Sequence, residues 1–121
     1  MRQPRTIMAG DSSHASKTPV IEFSFANTFP LVLMPLAVGD FIREVYVEIT
    51  QPFSAGVALT LGFPANHQEL LASTEIDPQQ VGQYQALASR KIAVSETMTL
   101  YLTGTAAVGQ GRVVVEFGGA A

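Results

Sequence analysis

VYVEIT, residues 45–50, sets Val45, Val47 and Ile49 against Tyr46, Glu48 and Thr50, a period of two that puts one row of side chains on each face of a pleated strand. The pattern recurs on both sides of it. VIEFSF (20–25) groups Ile21, Phe23 and Phe25 opposite Glu22 and Ser24, and GVALTLG (56–62) turns Val57, Leu59 and Leu61 inward between two glycines. TMTLYLT (97–103) opposes Met98, Leu100 and Leu102 to Thr97, Thr99, Tyr101 and Thr103, and RVVVEF (112–117) aligns Val113, Val115 and Phe117. Each segment has one wet face. A parallel sheet covered on both sides reads as continuous apolar runs, so these strands belong to antiparallel sheets packed face to face. Ile42 falls out of phase with Val45 and Val47, which predicts a bulge near Arg43 and Glu44.

Between His67 and Lys91 the alternation weakens. QELLAS fits a short helical turn or a strand, and IDPQQVGQYQ carries Pro78 and Gly82, which limit any helix. A short strand followed by a loop is expected there. Apolar spacing of three and four is not sustained anywhere, so long helices are not expected. Roughly seven or eight short strands with turns every 8 to 12 residues predict an all-β chain. The expected architecture is an antiparallel β-sandwich over residues 20–121, with the jelly roll among its forms, and an extended N-terminal arm over residues 1–19.

A chain of 121 residues is one domain, large enough to fold without disulfides or metals. Hydrophobic residues make up 47% and charged ones only 14%, so much of the surface must be Ser, Thr, Gln, Ala and Gly. Such a surface is cheap to bury against a partner, because few charges leave water. The net charge of −3 gives no basis for binding nucleic acid, and the arm's Arg2 and Arg5 are too few to change that. The absence of cysteine excludes disulfides and thiolate metal sites. The longest apolar run, Phe29 to Val38, is interrupted by Pro30 and Pro35 and is too short to span a bilayer, and residues 1–19 lack the apolar centre of a signal peptide. Synthesis in a cytoplasm and solubility until assembly are therefore expected, with no membrane partner.

Residues able to carry chemistry are few. Asp11, Ser12, Ser13 and His14 contain the residue types of a hydrolase triad, but four consecutive residues of an arm lack the rigid scaffold that holds separated side chains in line. His67 is the only other histidine and reads as a loop residue, with no further His or Cys to complete a transition-metal site. Glu75 and Asp77 fall on one side of an extended chain, yet only Glu69 lies near enough to add to a calcium site that wants about six to eight oxygens. Tyr46, Tyr84 and Tyr101 could stack on a sugar, although cross-strand packing explains them better. GTAAVGQGR (104–112) is glycine-rich without the Lys-Ser/Thr pair of a phosphate loop, and a hairpin connection accounts for its glycines. Arg90 and Lys91, the only adjacent basic pair, read as a solvated strand end. No cofactor is expected.

Ser, Thr, Pro, Gly and Asp dominate residues 10–19, a composition that cannot bury enough apolar surface to offset the entropy of ordering it. Neighbouring subunits, or the arm folding back on its own sandwich, are the expected sources of order. Within the arm only RTIM joins apolar anchors to positive charge, which makes Arg2, Arg5, Ile7 and Met8 the candidate partner-binding residues.

The order of strand features carries a resemblance over about residues 30–117. Gly39 steps into an Ile-x-x-Val-x-Val strand (Ile42, Val45, Val47), and a turn containing Phe53 follows. An alternating strand then closes on glycine (Leu59, Leu61, Gly62), a loop carries Asp77, Gly82 and Tyr84, and the last strand is Gly-x-Val-x-Val-Glu (Gly111, Val113, Val115, Glu116). This order resembles small β-sandwich structural proteins of tailed bacteriophages, apart from Ser54 where the family usually has Asp after the Phe. The resemblance implies a capsid cement or decoration protein, a head fibre or a tail component, and the arm favours cement, since an extension crossing to a neighbour clamps it. The expected protein is non-enzymatic, sits on the capsid surface of a virion assembled in the host bacterial cytoplasm, and binds the major capsid protein and copies of itself. Two rivals make other demands. A fibre or tail module adhering to host glycans requires an exposed aromatic cluster around Tyr84. A carbohydrate-active β-sandwich enzyme requires Glu75 and Asp77 in a cleft with raised pKa values.

Overall fold

Every alternating segment forms a strand in the computed structural model, which describes residues 18–86 and 89–118. Among these are β1 (Val20–Ser24), β2 (Leu31–Leu36), β3 (Phe41–Gln51), β4 (Ala58–Phe63), β5 (Asn66–Leu71), β6 (Gly82–Ala86), β7 (Arg90–Lys91), β8 (Glu96–Thr103) and β9 (Gln110–Phe117). QELLAS contributes the last four residues of β5, as expected, and a 3-10 turn at Ser73–Glu75 follows it. IDPQQVGQYQ is a loop only as far as Val81, after which Gly82 opens β6.

All pairings are antiparallel and build two sheets, β1-β9-β3-β6 with β7 continuing the β6 edge along β3, and β2-β8-β4-β5. Pairing is nested: β1 with β9, β2 with β8, β3 with β6 and β7, β4 with β5. One long hairpin wound on itself gives this order, so most ladders join residues far apart in sequence. The anticipated bulge is present, since the β3–β9 register jumps between Ile42 and Glu44 and brings Ile42 back to the buried face with Val45, Val47 and Ile49.

The core fills the space between the sheets. From one side come Phe23, Ile42, Val45, Val47, Ile49, Val113, Val115 and Phe117, and from the other Leu36, Leu59, Leu61, Phe63, Met98 and Leu100. Phe53, in the β3–β4 connection, closes one end against Phe23, their ring centroids 6.0 Å apart. Phe25 departs from expectation. The first strand stops at Ser24, whose backbone N–H donates to the Asn27 side chain in a tight turn, and Phe25 is left 41% exposed.

The connection from Gly104 to Gly109 also departs from expectation, because it is no hairpin. β8 already lies between β2 and β4, and β9 lies between β1 and β3, so the segment crosses from one sheet to the other over the end of the sandwich. Its glycines serve that crossing. Gly104, at φ +95°, passes so close to Gly56 that a Cβ would lie 2.6 Å from its carbonyl oxygen, and Gly109, at φ +142°, lies against the Phe53 ring.

Candidate functional site

The two outer faces of the sandwich differ in charge. On the β2-β8-β4 side the outward positions are Val32 and Pro35, then Thr97, Thr99, Tyr101 and Thr103, then Ala58, Thr60 and Gly62, the last covered by the Asn66–His67 backbone. None of these side chains is ionisable near neutral pH. Thr99, in the middle of the face, is only 3% exposed, and its hydroxyl donates to the Thr97 carbonyl at 3.3 Å. The opposite face, on β1-β9-β3-β6, presents Glu22, Glu44, Glu48, Arg112 and Glu116. Arg112 pairs with Glu48 at 2.9 Å, and Arg43 reaches Glu116 at 3.4 Å, which relieves the direct cross-strand opposition of Glu44 and Glu116. Glu44 also accepts a hydrogen bond from the Gln85 side-chain amide.

His67 lies in a strand rather than a loop. The β4–β5 register shift near Phe63 brings its ring onto Tyr101 of β8, the two centroids 3.7 Å apart and the planes within 8° of parallel. Around this stack Ala58, Thr60, Gln68, Ser73 and Thr103 line a shallow depression of about 290 Å³. It holds hydroxyls, an amide and an imidazole, and no carboxylate.

Tyr84 is no part of an exposed aromatic cluster. It stands opposite Val47 and packs on the core, and its hydroxyl donates to the Gln80 carbonyl at 3.0 Å. Burial, with a smaller contribution from the Asp77 charge, raises its pKa. Tyr46 faces outward between Val114 and Gln85. Glu75 and Asp77 are exposed and spent on turns: Glu75 accepts from the Ala72 backbone N–H at 2.8 Å, and Asp77 from that of Gln79 at 3.1 Å. Neither lines the depressions around Arg112, Pro35 or His67. Among the described residues no three of His, Cys, Asp and Glu gather in a group able to hold a metal.

Arg90 does more than end a strand in solvent. From β7, on the five-stranded sheet, its guanidinium donates to Glu69 of β5 at 2.6 Å and lies 5.1 Å from the Phe63 ring centroid, clasping the edges of the two sheets. The hydrogen bond and positive charge of Arg90, helped by the Asn66 amide, hold the Glu69 carboxyl below its ordinary pKa. Sequence alone did not single out this pair, because Glu69 and Arg90 meet only across the sandwich edge.

At the end where β3 begins, Val38 and Val94 are 64% and 70% exposed beside a shallow groove lined by Pro35, Leu36 and Ala37. Arg2, Arg5, Ile7 and Met8, like Asp11, Ser12, Ser13 and His14, lie outside the described residues.

No protein family and no characterised protein matches the sequence. Three solved bacteriophage capsids contain chains of similar structure. A chain in the acid-stable capsid of Helicobacter pylori bacteriophage KHP30 is 15% identical, with a TM-score of 0.69 over 85% of this chain and 86% of that one. One in the cyanophage Pam1 capsid is 15% identical, with a TM-score of 0.63 over 93% and 92%. One in the capsid of Ralstonia phage GP4 is 13% identical, with a TM-score of 0.62 over 97% and 92%. Identities this low establish a shared fold, and that fold is one found in chains of bacteriophage capsids, the group that the strand motifs resemble.

Proposed function

We propose that this chain is a non-enzymatic structural protein of a bacteriophage virion, a cement or decoration protein that binds the major capsid protein and copies of itself on the capsid surface. Its parts are a contact-making arm, residues 1–19, and a sandwich, residues 20–121. The observation that carries the proposal is the uncharged outer face of β2, β8 and β4, on a fold shared with phage capsid chains. A face of Thr, Ala, Val and Tyr, with the His67 imidazole on Tyr101, can be dried without stranding a carboxylate, whereas the opposite face would have its carboxylates desolvated. The shell protein is therefore assigned to the uncharged face. At about 25 cal/mol per Å² of apolar surface, contacts of roughly 1,600 Å² repeated over a lattice hold firmly even where each is weak. The nested pairing of β1 with β9 through β4 with β5 supports reading the sandwich as a jelly roll, an architecture used by viral capsid and lectin domains.

Thr60 and Thr103 flank Tyr101 on that face, and replacing both by Glu should leave the thermal unfolding midpoint within a few degrees of wild type. The same variant should lose co-sedimentation with empty shells of the major capsid protein. Wild-type protein that stays in the supernatant at every shell concentration, or a double variant that pellets as well as wild type, contradicts the proposal.

The His67–Tyr101 stack, rimmed by hydroxyls and the Gln68 amide, favours adhesion to a neutral saccharide as the second function. A glycan array separates the two, since shell cement binds no glycan and an adhesion module loses its glycan with His67→Ala.

A further inference from the structure

The charges of this chain are divided between its two parts. Arg2, Arg5 and Lys17 against Asp11 leave residues 1–19 at +2, so the remainder carries −5. Part of that negative charge is gathered on the outer face of β1-β9-β3-β6. Arg112 stands between Glu22 and Glu48 and bonds Glu48, while Arg43 bonds Glu116, which lies opposite Glu44, and Glu44 also accepts from the neutral Gln85 amide. An apolar row, Val20, Val114 and Tyr46, crosses the sheet between Glu22 and Glu44; Val20 is 51% exposed, Tyr46 half-buried and Val114, in the middle, buried. Each side of the apolar strip thus holds two carboxylates to one arginine, and the face keeps an excess of negative charge. RTIM carries the complement, a cation followed by two apolar side chains.

The exit of the arm selects whose face it meets. Pro19 accepts a hydrogen bond from the Val115 N–H, so the chain enters β1 from the Phe117 end of β9. Residues 1–17 can span roughly 55 Å when extended, at about 3.3 Å per residue, and β3 with 11 residues spans only about 36 Å. Given the chain direction at Pro19, the outer face of its own sheet is reached only by a reversal, and a second molecule is reached without one. We propose that the arm of one copy docks on the acidic outer face of the β1-β9-β3-β6 sheet of a second copy, with Arg2 and Arg5 drawn to Glu22 and Glu44 and with Ile7 and Met8 on the Val20–Val114–Tyr46 row. The acidic face then serves contacts between copies, and the uncharged face is left for the shell.

Charge reversal and rescue in the full-length chain test this without any shell, so failure here leaves the docking of the uncharged face standing. Association would be measured by light scattering and sedimentation velocity at low and high salt, with circular dichroism to confirm folding. Wild type should associate, and more weakly as salt rises. Arg2→Glu with Arg5→Glu, and separately Glu22→Lys with Glu44→Lys, should each weaken association by about tenfold or more, and the fourfold variant should recover it. Should the lysine variant misfold, Glu22→Gln with Glu44→Gln removes the same charges with little change of shape. A wild type that is monomeric at every concentration, one-sided reversals without effect, or a fourfold variant that stays weak would each overturn the proposal.

Discussion

Single residues set the ends of this sandwich more tightly than its middle. A Val or Leu of the core can exchange for another apolar residue of similar volume at a cost of less than about 1.5 kcal/mol. Gly109 has no such freedom. Its φ of +142° is poorly accessible to L side chains, and any Cβ would overlap the Phe53 ring that closes the core beneath it. Gly109→Ala should therefore cost about 1–3 kcal/mol in urea unfolding, through overpacking and backbone strain together. A stability equal to wild type would mean that the crossing can move off Phe53. The glycines were visible in the sequence, but their reason was not, because a hairpin and a crossover demand the same residue type.

At the scale of elements, alternation predicted the strands well where one face is wet, as in β3, β4 and β9. It was weakest for β5, where Asn66 to Glu69 are all exposed, for β7, which has two residues, and for β6, which alternates over only five. Arg90 and Glu69 tie two of these strands together. The lowered pKa of Glu69 means that the folded chain holds this proton less tightly than the unfolded chain does, so the clasp stabilises above the unfolded value of about 4.3 and is lost as pH falls through the lower folded value. The melting temperature of wild type should exceed that of Glu69→Gln at pH 6, and the difference should close below about pH 4. Both side chains are about one-third exposed, so the gap should be small and should shrink further in high salt. A difference that widens in acid would contradict this assignment of the ion pair.

For the whole molecule, the proposed division of labour separates folding from assembly. The described core is closed by residues from Phe23 to Phe117, none of them in the arm. Deleting residues 1–15 should leave the unfolding midpoint within a few degrees of wild type while abolishing association between copies and weakening, without abolishing, co-sedimentation with shells, and unchanged association would remove the arm from the mechanism. The sequence by itself determined the all-β class, the inward rows, the bulge after Ile42 and the scarcity of charge, because period-two patterning and composition are local properties that any chain must satisfy strand by strand. Only the tertiary structure decided which strands become neighbours, and with that the uncharged and acidic faces, the His67–Tyr101 stack and the Arg90–Glu69 clasp. A nested winding brings together residues from opposite ends of the chain, and the pairing energy that selects it is summed over ladders between distant segments, which no local window of sequence contains.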